Sequence, residues 1–190
     1  MHPFDQRPIV VAIAGPNGAG KSTFFHAHLA NAGLRFINAD ELARELDVDA
    51  YAAASIAHDL RVELVRHQES FVFETVFSDP KGDKLDFLQG AASVGYTVVL
   101  CFIGLDSAKI SDDRVAMRVL QGGHDVPHDK VIARFPRVMR NLKRAASTLP
   151  HVIVYDNSDL RHPYRKVAQL SAGRVVEVCK PVPRWLTLPR

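Results

Sequence analysis

One short stretch constrains this chain more than any other: Gly15-Pro16-Asn17-Gly18-Ala19-Gly20-Lys21-Ser22, followed by Thr23. It fits G-x-x-x-x-G-K-[ST] in full. The context is the one that pattern requires, with the continuous apolar run Ile9–Ala14 before it and a helical stretch, Lys21–Ala30, after it. The glycines let the backbone adopt positive φ and approach an anion closely. Successive N–H groups then converge as a phosphate nest, and the start of the next helix adds partial positive charge. In such loops the lysine reaches the β- and γ-phosphates and the hydroxyl residue ligates Mg²⁺. Gly15 through Thr23 are therefore the candidate nucleotide-binding residues, for ATP with Mg²⁺. Lys21 is also a candidate catalytic residue, and Ser22 is the candidate metal ligand.

The rest of the chain alternates short apolar runs with helical stretches. Candidate strands are Ile9–Ala14, Leu34–Ile37, Phe71–Val76, Tyr96–Ile103 and His151–Tyr155. Candidate helices between them cover 49–69, where Ile56, Leu60 and Leu64 recur at four-residue spacing, then 81–92, 107–120 and 128–146. Strands apolar throughout, separated by helices, imply a parallel sheet covered on both faces. The expected fold is α/β: a three-layer P-loop NTPase domain with a five-stranded parallel sheet and a helical lid. It is read as one domain over residues 1–190, with a core at about 8–160 and a C-terminal extension at 161–190. In that extension, Lys166–Leu170 and Arg174–Cys179 flank Ser-Ala-Gly as a hairpin candidate of unassigned role.

Composition narrows the partners. A net charge of +3 suits a phosphate-handling protein and is too small to argue for nucleic acid by itself. Two cysteines, Cys101 and Cys179, without paired spacing, point to a reducing compartment and to no zinc site. The nine histidines show no ligand spacing either. The first apolar run, Pro8–Ala14, is too short for a signal-peptide core or a membrane span, so a soluble, cytoplasmic protein is expected.

The loop motif leaves the phosphoryl acceptor open. The chain has no Asn-Lys-x-Asp guanine-reading motif and no Leu-Ser-Gly-Gly-Gln-like signature. Val152–Asp156 resembles a Walker B strand, but Asn157 follows where a glutamate would be expected. What remains is the small kinase with a mobile lid: phosphate loop, acidic residue after the second strand, acceptor residues after the third, arginine-bearing lid, last strand. Glu74 lies at the end of an apolar strand, where a carboxylate costs free energy unless paired or used. It is either an acceptor-site residue or one half of a structural ion pair. Thr75 and Ser78 beside it are acceptor-site or turn residues. Arg114 and Arg118 lie one helical turn apart, and Arg134, Arg137 and Arg140 are spaced by three on the next helix. Arginine forks stabilise the charge of a transferring phosphoryl group. Arg118 and Arg134 flank the turn Gly122–Pro127 and are the first choices, while a solvated arginine face is the alternative. Within the turn, His124 and Asp125 are either substrate contacts or part of a plain connector. Asp156-Asn157-Ser158 either faces the adenine or forms a turn.

Several segments together resemble the zeta-toxin-like P-loop kinases, in their short, compact branch: Phe36-Ile-Asn-Ala-Asp40-Glu-Leu-Ala43, Phe73-Glu74-Thr75-Val-Phe-Ser78 and Arg114-Val-Ala-Met-Arg118-Val-Leu-Gln-Gly122-Gly-His-Asp-Val-Pro127. Phe135–Leu142 and Tyr155–Ser158 fit the same pattern, and the resemblance covers roughly residues 8–160. It implies that Asp40 is the general base toward the acceptor hydroxyl, beside a helix-capping role that Asn38-Ala-Asp40-Glu41 also suggests. It implies Glu74, Thr75 and Arg114 as acceptor-binding residues. The acceptor would be UDP-N-acetylglucosamine or a similar nucleotide-sugar, and a toxin role would bring a small helical antitoxin as partner. Two other readings stand beside this one: an ATP-binding module signalling to a partner protein, and a polynucleotide 5′-hydroxyl kinase.

Overall fold

The computed structural model describes residues 3–122 and 125–189, so Gly123 and His124 of the expected lid turn lie outside the described residues. β1 (Ile9–Ala14) is an interior strand of the sheet. Its run of Ile, Val and Ala is buried along its whole length, as β-branched residues between two helical layers should be. In chain order there follow α1 (Lys21–His28), β2 (Arg35–Ile37), α2 (Ala39–Leu46), α3 (Ala50–Arg66), β3 (Phe71–Thr75), α4 (Asp83–Ser93), β4 (Thr97–Gly104), α5 (Ala108–Leu120), α6 (His128–Thr148), β5 (His151–Asp156), β6 (Arg165–Ser171) and β7 (Arg174–Val178).

The sheet order is β2-β3-β1-β4-β5-β6-β7. The first five strands are parallel, and β6 and β7 are antiparallel additions. Alternate residues of β1 serve two cores. Val10, Ala12 and Ala14 meet Leu64 of α3, Leu85 and Leu88 of α4, and Val138 and Leu142 of α6. Ile9, Val11 and Ile13 meet Phe24 and Phe25 of α1 and Ile110 of α5 on the other face. This is the expected α/β class.

The sheet differs from expectation in having seven strands rather than five. The hairpin foreseen near residues 166–179 is not a separate appendage. Ala172 and Gly173, both at positive φ, turn the chain, and β6 pairs with β5 and buries Val167, Ala168 and Leu170. The last residues also return to the core. Trp185 packs against Phe102, donates its indole Nε1–H to Asp156 Oδ1 at 3.3 Å, and covers Gly104 so closely that a Cβ there would fall 2.1 Å from its ring. Gly104→Ala should therefore displace the ring and cost about 1–3 kcal/mol by overpacking. Because Trp185 is the single tryptophan, the expected readout is a red-shifted emission together with a lower urea midpoint.

The inward face of α3 follows the expected spacing only in part: Leu64 is buried and Leu60 packs against the core. Ala53, Ala57, Arg61 and Leu64 are buried, whereas Ile56 is 36% exposed. Helix rotation followed the small residues. Ala57, with Ala54, lines a hollow beside the sheet.

Candidate active site

In open α/β sheets, ligands gather at the carboxyl ends of the strands. Here β1 ends in the phosphate loop, β2 ends at Asn38, and β3 ends at Glu74 and Thr75, which lie in register with Ile13 and Ala14. Gly15 leaves β1 at φ 152, and a Cβ there would meet the Ile103 carbonyl oxygen of β4 at 2.2 Å. Glycine is thus required by the neighbouring strand as much as by the phosphate. Gly20 caps α1 at φ 86 without any side-chain cap bond, and α1 has no acidic residue in its first turn. The first N–H groups of that helix therefore remain available to an anion.

The loop is held from behind by three side chains, of which sequence reasoning had singled out only Asn157. Ser111 Oγ donates to the Asn17 carbonyl at 2.6 Å. Asn157 Nδ2 donates to the Ala19 carbonyl at 2.9 Å, and Tyr164 Oη donates to the Gly20 carbonyl at 2.9 Å. Asn157 belongs to the triplet read as an adenine contact or a turn; it is buried and braces the loop. Asp156 pairs with Arg165 at 3.1 Å and accepts from Ser158 Oγ at 2.6 Å. No sequence signal pointed to Tyr164 or Ser111, because their roles depend on elements brought together only by the fold.

Glu74 is the hub of the site. Its Oε2 accepts from Ser22 Oγ at 2.7 Å and from Asn38 Nδ2 at 3.3 Å, while its Oε1 lies 3.6 Å from Lys21 Nζ. Of the two sequence readings of Glu74, the ion pair is present, and its partner is the loop lysine. Lys21 is buried and also donates to the Pro16 carbonyl at 3.1 Å. Burial lowers its pKa from the usual lysine value; Glu74 and Asp40 oppose that shift, and Arg118 adds to it.

Asn38 caps α2, its Oδ1 accepting from the Asp40 backbone N–H at 2.9 Å. Asp40 therefore serves the cap through its main chain, which leaves the carboxylate for the hollow in front of it. Asp40, Glu74, Thr75, Asn38, Arg61 and Lys84 are among the residues lining that hollow, of about 160 Å³. Thr75 Oγ1 accepts from the Phe77 N–H at 3.1 Å, which shapes the turn after β3. Asn141 of α6 secures the same turn through the Phe77 and Asp79 carbonyls, each at 3.0 Å.

The arginines separate. Arg118 is close enough to Lys21 to influence its charge. Arg114 lies on the loop side of the site: it donates to the Ser158 carbonyl at 3.1 Å, and its Cβ would be 3.0 Å from a Cβ on Gly18. It is not among the residues lining the hollow, contrary to its grouping with Thr75 and Glu74. Arg134 and Arg137 are half-buried on α6, and Arg140 is exposed. His128 Nδ1 and Asp112 Oδ2, 2.8 Å apart, join α6 to α5.

No group of three or more His, Cys, Asp or Glu able to hold a metal occurs among the described residues. A Mg²⁺ ion held by one hydroxyl, phosphates and water needs no protein cage. Ser22 Oγ, beside Glu74 and at the start of α1, fits that donor set. Cys101 is buried, and burial pushes its thiol up to about 12, which makes it inert. Among the described residues, no helix is long and apolar enough to cross a membrane.

Comparison with known proteins bears on the family and the fold. A family model described as Zeta toxin matches residues 44–168, well over half of the chain, and that span begins beyond the phosphate loop and Asp40. No curated protein matches the chain at a significant level. Among solved structures, a candidate kinase from Chloroflexus aurantiacus aligns with TM-score 0.60 and 16% identity over 82% of this chain and 91% of that one. The PezAT chromosomal toxin–antitoxin system of Streptococcus pneumoniae aligns with TM-score 0.60 and 16% identity over 86% and 72%. The AvrRxo1-ORF1:-ORF2 structure with ATP aligns with TM-score 0.68 and 18% identity over 90% of this chain but only 60% of that one. At such identities the structural likeness speaks for the fold, and the family match carries the assignment. The chain belongs to the zeta toxin family of P-loop kinases.

Proposed function

We propose that this phosphotransferase moves the γ-phosphoryl group of ATP to a hydroxyl of a small molecule seated in the hollow lined by Asp40 and Glu74. The observation that carries the reading is the position of Glu74. One carboxylate touches the loop lysine, the loop serine and Asn38, and it lines the adjoining hollow. The nucleotide site and the acceptor site therefore share a wall.

In this reading the loop amides and Lys21 hold the phosphates. Bound at Ser22, Mg²⁺ would supply charge neutralisation across the β- and γ-phosphates. Asp40 takes the acceptor hydroxyl's proton as the new O–P bond forms and the bond from the γ-phosphorus to the bridging oxygen breaks, with ADP leaving. Arg118, with Arg134 from the lid, supports the charge on the transferring group. Glu74 and Thr75 position the acceptor, and Arg114 supports the loop side. Residues 1–190 act as one domain, with the C-terminal hairpin extending the sheet beyond β5 and the tail packing on Gly104 rather than forming a second unit.

The family suggests UDP-N-acetylglucosamine as the first acceptor to try, and a cytoplasmic setting would supply MgATP. The likeness to a toxin–antitoxin system supports a small antitoxin protein as a partner of this chain. The test is mass spectrometry of purified protein incubated with MgATP and UDP-N-acetylglucosamine, followed by a panel of other hydroxyl compounds, with Lys21→Ala as control. A product heavier by one phosphoryl group, absent with the variant, is the expected result. ATP binding without any phosphorylated acceptor across the panel would overturn the kinase reading in favour of an ATP-binding module.

A further inference from the structure

Arg61 occupies the core-facing stripe of α3, where Ala53, Ala57 and Leu64 are its buried companions. It is only 7% exposed, yet no carboxylate or carbonyl pairs with it among the described residues, and its Nε has no hydrogen-bond partner. Its contacts are aromatic: the guanidinium carbon lies 4.9 Å from the Phe73 ring centre and 5.6 Å from that of Phe87. Cation–π contact offsets part of the cost of burying a charge, but it leaves the in-plane N–H donors unused. Burial pushes its pKa down to about 10, so the group still carries its charge at neutral pH. An ionised group this deeply buried, with no carboxylate in ion-pair contact among the described residues, is expensive in a chain that needs only a folded core.

Its location suggests why it is there. Arg61 lines the hollow of about 160 Å³ that also holds Asp40 and Glu74. It equally lines a neighbouring cavity of about 270 Å³, with His58, Asp83, Lys84 and Phe87. Arg61, Lys84 and Ala54 border both. Two cations thus stand on the wall away from the loop, while the two carboxylates, Asp40 and Glu74, belong to the reacting end. Asp83 borders the outer cavity without forming an ion pair with Arg61, among the described residues.

We propose that Arg61 is a specificity-determining residue that binds an anionic group, phosphate or carboxylate, carried by the acceptor, with Lys84 as the second cation. This rests on the kinase reading above and names the acceptor's class: a hydroxylated anion, compact enough that its hydroxyl reaches Asp40 while its anionic group reaches Arg61 across one small cavity. A guanidinium suits both anions, since its N–H fork matches their paired oxygens. A neutral polyol would leave the buried charge uncompensated.

Two experiments test this. The first compares matched acceptors differing only in the anionic group, such as glycerol, glycerate and glycerol 3-phosphate, or N-acetylglucosamine, its 1-phosphate and the UDP-sugar. The charged members should be phosphorylated in preference, and the phosphate–carboxylate comparison within a set identifies the source of the anion. Arg61→Gln should raise KM for a charged acceptor about 10- to 100-fold while leaving KM for ATP unchanged, and Arg61→Lys should recover part of the loss. A purely structural arginine would instead lower kcat and disturb ATP and every acceptor alike. Preference for neutral acceptors, or an unchanged KM in Arg61→Gln, would overturn the proposal.

The second experiment needs no turnover. With the phosphate loop filled by a non-hydrolysable MgATP analogue, titration calorimetry follows binding of inorganic phosphate to the wild type, Arg61→Gln and Arg61→Lys. Binding weakened at least about 10-fold in Arg61→Gln supports the anion site even if no acceptor in the panel is phosphorylated, in which case only the kinase reading fails. Equal binding in folded wild type and variants, or none in the wild type, overturns the site itself.

Discussion

Replacing Asp40 by asparagine should lower phosphoryl transfer about 10²–10⁴-fold, the range for losing a positioned general base. Asparagine keeps the size of the side chain and the backbone N–H that Asn38 caps, so α2 should stay folded. What it loses is the ability to take a proton. The carboxylate also acts on Lys21, so its removal takes one negative charge away from the phosphate site. ATP affinity should therefore stay at the wild-type value or improve slightly. The check is single-turnover ADP formation at saturating acceptor, beside a separate ATP titration. Full activity in the variant would remove Asp40 from the role of base, and lost ATP binding would show that its role is structural.

Glu74→Gln should cost about 10²–10³-fold in kcat/KM, because the charge-assisted contact to Ser22 becomes a neutral one and the ion pair with Lys21 becomes an ion–dipole contact. Its second effect is on pH. Burial already holds the Lys21 pKa below the usual lysine value, and Glu74 is the largest influence opposing that shift. Without the carboxylate the lysine's pKa falls further. The protonated form, which holds the phosphates, is then lost at lower pH than in the wild type. The alkaline limb of the pH–rate profile should move toward neutrality, whereas an effect confined to acceptor positioning would scale the profile without moving it. An unmoved limb would mean that the ion pair does not govern the charge of Lys21.

Much of this site was legible because its chemistry is local in sequence. The phosphate loop is a single stretch whose glycines, lysine and serine have fixed reasons to stand at fixed spacing. The strand before it was equally plain, since a run of buried β-branched residues has few other destinations. Glu74 stood out because a carboxylate ending an apolar strand demands a partner, although the partner's identity came from the register that sets β3 beside β1.

Other features depended on contacts between distant parts of the chain. Gly15 is required by Ile103 of the adjacent strand, and Asn157 and Tyr164 brace the loop from more than a hundred residues away in sequence. The hairpin foreseen in the C-terminal extension, without an assigned role, joined the sheet because the parallel strand β5 offered an open edge, and the tail followed it until Trp185 covered Gly104. The spacing of large apolar residues marked only part of the inward face of α3, where Leu64 is buried and Leu60 packs on the core. The fold turned its alanines inward, and with them Arg61. The sequence by itself determined the phosphate chemistry, because that chemistry lies within one turn of backbone. The tertiary structure alone decided what shares a wall with it, because burial and charge pairing are properties of neighbours in space and not of neighbours along the chain.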